Sequence, residues 1–87
     1  MSDTTTTAAP TAEGVLRYLL AELVDDVDAI EISTEDRDGR LRFNVGVGPG
    51  DMGRVIGKRG RVANAIRTVV RAAAVRDGAE VEVEFLD

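Results

Sequence analysis

Gly46-Val47-Gly48-Pro49-Gly50-Asp51-Met52-Gly53-Arg54-Val55-Ile56-Gly57-Lys58-Arg59-Gly60 places six glycines in fifteen residues, between an alternating apolar segment and a long basic one. Three loop types compete for it. Gly48 to Gly53 has the G-x-G-x-x-G spacing of a dinucleotide-binding turn, but such a turn opens one continuous helix and leads to an acid-tipped strand. Here the helix breaks at Gly57, and 87 residues are too few for two nucleotide-binding halves. A phosphate-binding P-loop needs glycine at position 52 and Ser or Thr after Lys58, where Met52 and Arg59 stand. The third type is a helix–GxxG–helix corner, Val55-Ile56-Gly57-Lys58-Arg59-Gly60. A lone GxxG is a weak signal, because glycine caps join many helix pairs with the charged residues merely solvated. An apolar pair before it and a basic helix after it make the signal specific.

The flanking sequence supplies the rest of the fold. Residues 61–76 read as a helix with Val62, Ala65, Ile66, Val69, Val70 and Ala73 on one side and Arg61, Asn64, Arg67 and Arg71 on the other; Gly78 stops it. Asp51 is placed to cap a short helix, 52–56. Upstream, Leu41, Phe43, Val45 and Val47 alternate with polar residues, as do Ile30 and Ile32. Asp38-Gly39 between these runs suits the positive φ angles of a hairpin. Val81, Val83 and Phe85 form a third alternating strand. Residues 12–26 carry Val15, Leu16, Leu19, Leu20, Leu23, Val24 and then Val27 along one helical stripe, with Thr11 as the expected N-cap. The order is helix, strand, strand, helix, helix, strand. It predicts a two-layer α/β sandwich of the α+β kind, with a three-stranded mixed sheet covered on one face by three helices.

Composition narrows the chemistry. The chain has no His and no Cys, which removes Cys/His zinc sites, disulfides, thiol nucleophiles and imidazole triads. No catalytic residue, metal ligand or cofactor is expected. Glu82 and Glu84 share one strand face, which reads as a solvated polar surface and not as an acid–base pair. The net charge of −5 hides a segregation. Between Gly53 and Arg76 lie Arg54, Lys58, Arg59, Arg61, Arg67, Arg71 and Arg76, seven bases without one acid, while the rest of the chain holds four bases and sixteen acids. A docking polyanion responds to that local field and not to the average. Residues 1–10, polar and low in complexity, read as a disordered tail ahead of one domain over 11–87. No run approaches the roughly 18 apolar residues of a membrane span, and a cytoplasmic protein is expected.

The run Gly50 to Arg67 resembles the core of a KH domain, and the order of elements is similar to its prokaryotic type II form. Residues 12–86 as a whole resemble the small single-KH bacterial RNA-binding proteins of the KhpA (YlqC) family, with the tail outside the match. The resemblance implies single-stranded RNA as partner, about four nucleotides being clamped at the GxxG loop. Gly57, Lys58, Arg59 and Gly60 would hold the backbone, with glycines at both ends keeping Cβ atoms out of its way. Arg54 and Arg61 would add phosphate contacts, Ile56 with Val55 would form the apolar groove wall, and Asn64 or Arg67 would read base edges. The N-terminus of the following helix favours an anion. The resemblance also implies a role as an RNA chaperone or post-transcriptional regulator linked to cell elongation and division. It further implies a homodimer, or a heteromer with a larger Jag-type KH protein, because paired weak sites gain avidity.

A second function class stays open: a KH-fold dimerisation or interaction subunit of a Jag-type complex with little RNA affinity of its own. Ala72, Ala73, Ala74 and Val75 offer more small apolar surface than one core stripe needs. The acidic remainder, Glu80, Glu82 and Glu84 included, would repel RNA everywhere but at the loop. No membrane and no small-molecule substrate are expected as partners.

Overall fold

The structure, a computed structural model, describes residues 9–86. The elements are α1 (Pro10–Leu23), β1 (Glu31–Arg37), β2 (Arg40–Gly46), α2 (Met52–Ile56), α3 (Arg61–Asp77) and β3 (Glu80–Phe85), in the expected order. β2 is central, antiparallel to β1 and parallel to β3. Asp38 and Gly39 turn the hairpin with φ of 56° and 84°, the paired positive angles of a type I′ turn.

Period-two alternation decides which face is covered. Leu41, Phe43 and Val45 of β2 and Val81 and Val83 of β3 are buried against Leu16 and Leu20 of α1, Val55 of α2 and Ile66 and Val70 of α3. The helices therefore share one core on one face of the sheet. The other face is a lattice of charge. Arg40 pairs with Glu80 and Glu82 at 3.3 Å each, and Arg42 reaches Glu82 at 3.7 Å. A cleft of about 650 Å³ beside these pairs is lined by both signs of charge, with Arg40 and Arg42 already matched to Glu80 and Glu82.

Several expectations change in detail. α1 stops at Leu23, not near residue 26, because the backbone N–H groups of Asp25 and Asp26 are taken by the Asp51 carboxylate at 3.2 Å each. Val27 accordingly leaves the stripe and is half exposed. Asp51 sits at the N-cap position of α2 but makes no cap bond there, its side chain being buried and turned to the α1 exit. Thr11 is not the cap of α1. The helix starts at Pro10, and the cap is supplied by Asp77, which accepts from Thr11 N–H at 3.1 Å and Ala12 N–H at 2.9 Å. On α3 the inward residues are Ala63, Ile66, Val70 and Ala74, while Ala65 and Val69 face out. The apolar positions of α3 span too wide an arc for all to turn inward, and small residues at both ends of the ridge let α3 lie close on α1. Of the expected tail, residues 1–8 lie outside the described residues. Ala9 and Pro10 belong to the fold, the first buried in the core and the second opening α1.

Candidate nucleic-acid interface

The loop between α2 and α3 is a single tight turn. Gly57 closes α2 through its N–H to the Gly53 carbonyl at 2.9 Å, then adopts φ 75° and ψ 178°. Lys58 to Gly60 form one 3₁₀ turn, with Gly60 N–H reaching the Gly57 carbonyl at 3.3 Å. Arg59 (φ 56°) and Gly60 (φ 75°) are both left-handed. For arginine that conformation is strained, and it turns the side chain away from the body of the protein.

The two glycines serve different ends. A Cβ on Gly57 would overlap the Val62 side chain and come within 3.0 Å of the Val62 nitrogen, so the protein's own packing demands glycine there. A Cβ on Gly60 would meet nothing within 4 Å. Only Gly60 fits the expectation of glycine as an open approach for a ligand.

The charges at the loop divide in the same way. Lys58, Arg59 and Arg61 are exposed, and so are Arg71 and Arg76 further along α3; none has an ion-pair partner among the described residues. Behind the loop α3 runs for 17 residues from an N-cap without side-chain capping, so its first N–H groups and the positive end of its dipole face the same space. Arg54 is differently placed. It is held by Asp25 at 2.8 Å. Ile56 is half-buried beside the loop, while Val55 is fully buried and belongs to the core, not to a groove wall.

Asn64 is exposed one turn along α3, and Arg67 turns inward from the same helix. Arg67 Nε donates to the Val83 carbonyl at 3.1 Å, and its Nη1 donates to Asn64 Oδ1 at 3.0 Å. Its guanidinium carbon lies 5.2 Å from the centroid of the Phe85 ring. Arg67 is thus not on a freely solvated helix face with Arg61 and Arg71, but bridges α3 to the edge of the sheet. Sequence reasoning missed Asp25, Asp51 and Phe85 as supports of this region. Each works through a partner distant in the chain, and local pattern carries no signal for such contacts. Among the described residues no cluster of three or more His, Cys, Asp or Glu is arranged to hold a metal, and no helix is long and apolar enough to cross a membrane.

A three-stranded sheet with two helices joined through a cationic GxxG turn, in this order of elements, defines a KH domain of the type II arrangement. The family model described as "KhpA/KhpB, KH domain" matches residues 13–85, and the chain belongs to that family. The RNA-binding protein KhpA of Clostridium acetobutylicum is 42% identical over 72 residues, spanning 83% of this chain and 96% of that protein. The RNA-binding protein KhpA of Bacillus subtilis is 39% identical over 75 residues, spanning 86% and 93%. Both are RNA-binding proteins by name. A crystal structure of Aquifex aeolicus Era bound to GDP.AlF4- superposes with a TM-score of 0.60 at 18% identity, covering 94% of this chain but only 31% of that one. That likeness is one of fold.

Proposed function

We propose that the protein binds single-stranded RNA through the turn Gly57-Lys58-Arg59-Gly60. The observation that carries the proposal is the exposed, unpaired pair Lys58 and Arg59, presented by a left-handed turn in front of the uncapped start of α3. Backbone phosphate would lie against the α3 N–H groups and the open side of Gly60, with Lys58, Arg59 and Arg61 as its counter-ions. Arg54 would join them once released from Asp25, and Ile56 would offer apolar contact to a base. Relatives named as RNA-binding proteins support this reading. Such a site is small and aliphatic, so its affinity is modest. A second KH domain, from another copy of this chain or from a Jag-type protein, would raise it through avidity in the cytoplasm. The test is fluorescence anisotropy with a labelled single-stranded RNA 12-mer. Changing Lys58 and Arg59 together to Asp abolishes binding while thermal unfolding is unchanged, and wild-type affinity falls with salt at a log–log slope of about −0.7 per phosphate contacted. Retention of RNA by the double variant overturns the proposal.

One observation favours a second reading, that of an interaction subunit. Val75 and Val69 are 76% and 46% exposed on the outer side of α3, next to exposed Ala65 and Ala72. Ala74, by contrast, is a core residue. Val75→Glu, and not Ala74→Glu, is therefore the variant that separates self-association from misfolding in sedimentation velocity. A wild type that is monomeric at micromolar concentration excludes the homodimer.

A further inference from the structure

Arg67 is half-buried, yet no carboxylate stands within ion-pairing distance of it among the described residues. Its partners are a backbone carbonyl, an amide oxygen and a ring face. Its charge is therefore fixed in place without being neutralised.

The surroundings explain what such a group faces. β3 ends the strand order β1-β2-β3, so one of its edges is unpaired by any strand. The Leu86 N–H is directed at β2, to the Val45 carbonyl at 2.9 Å. Main-chain groups alternate sides along a strand, which sends those of Val83 and Phe85 to the free edge. Arg67 lies along that edge, anchored to the Val83 carbonyl and set over Phe85. Asn64 and Arg67 are four and seven residues past Gly60. At the helical rise that is about 6 and 10 Å along α3 from the loop, within reach of the nucleotides following a clamped phosphate.

The hydrogen-bond inventory then decides the chemistry. A guanidinium has five N–H donors. One is spent on Val83 and one on Asn64, leaving one on Nη1 and two on Nη2. The Asn64 oxygen is turned to Arg67 and accepts one of these bonds, leaving its two amide N–H donors unspent. The groove thus offers donors from a planar fork already held in one orientation. We infer, resting on the RNA-binding reading above, that Arg67 is a specificity-determining residue. With Asn64 it selects a base that presents two adjacent acceptors on one edge. Guanine does so with O6 and N7, and cytosine with O2 and N3. Adenine sets an amino donor beside its N7 and N1, and uracil separates its two carbonyls by an N–H.

The test compares four labelled single-stranded heptamers, UUUUUUU, UUUAUUU, UUUGUUU and UUUCUUU, by anisotropy. Wild type binds the guanosine and cytidine heptamers at least about fivefold more tightly than the other two, the lower end of what a bidentate pair discriminates. Arg67→Lys keeps the charge but has no fork, and the preference collapses toward one; if Arg67 acted only as a cation, Arg67→Lys would leave the preference unchanged. Asn64→Ala, at an exposed position, removes one anchor of the guanidinium and reduces the preference without a folding risk. Equal binding of all four by wild type, or an undiminished preference in Arg67→Lys and Asn64→Ala, overturns the assignment of Arg67 alone. No binding of any heptamer overturns the RNA-binding reading as well.

Discussion

The carboxylate of Asp77 and the backbone N–H of Ala12, 65 residues apart, meet at 2.9 Å, so the last residue of one helix caps the first turn of another. Partial loss of solvent pushes the Asp77 carboxyl upward, but hydrogen bonds from Ala12 and from the side chain and backbone of Thr11 hold it below its ordinary value. A depressed carboxylate stabilises the fold above its unfolded pKa of about 3.9, and that contribution is lost as pH falls through the lower folded value. Asp77→Ala is expected to lower the melting temperature at pH 7, with Asp77→Asn, which keeps one acceptor, intermediate. The gap between wild type and Asp77→Ala should close below pH 4, as measured by thermal melts across a pH series.

Gly57→Ala is expected to cost about 2–5 kcal/mol, from a left-handed φ together with overlap on Val62. Gly60→Ala meets no neighbour, and the backbone penalty alone costs about 1–2 kcal/mol. Urea denaturation of the two variants separates them, and equal losses would contradict the different roles given to the two glycines.

Asp25 holds Arg54 at 2.8 Å in an exposed pair, so Asp25→Ala frees one more cation beside the loop. RNA affinity should rise about two- to fivefold at low salt, and the log–log salt slope should steepen by about 0.7, the value of one added phosphate contact. Anisotropy at four salt concentrations reads both. An unchanged slope would mean that Arg54 does not reach the RNA.

Asp51→Ala strips the hydrogen-bond partner from two backbone N–H groups at the end of α1 and leaves a space where a buried side chain stood. A loss of about 1–3 kcal/mol is expected, with Asp51→Asn milder. Hydrogen exchange at the Asp25 and Asp26 amides, faster in Asp51→Ala, localises the effect.

The hairpin, the mixed sheet and the cationic turn were legible from short-range pattern. Asp38-Gly39 tolerates the positive φ angles that a two-residue hairpin needs, β2 and β3 alternate cleanly, and Lys58-Arg59 lies between two glycines. What was not legible is what one end of the chain does to the other. The stop of α1 depends on Asp51, its start on Asp77, and the inward turn of Arg67 on Phe85 and Val83. The orientation of α3 failed for a related reason. Its apolar residues cover more of the circumference than the core accepts, so periodicity alone does not say that Ala63 and Ala74 go in while Ala65 and Val69 stay out.

The approach of Gly57 to Val62 has a consequence for the thermodynamics of association. Val62 lies in the first turn of the helix that the loop introduces, so the backbone of the turn is braced from behind before any ligand arrives. On the proposed reading a polyanion would meet a turn whose backbone shape was settled during folding, with little backbone entropy left to surrender there. What remains to be ordered is the side chains of Lys58 and Arg59 and the RNA itself. Calorimetry should accordingly attribute the entropic cost of binding mainly to the nucleic acid, and stiffening the protein further would gain almost nothing.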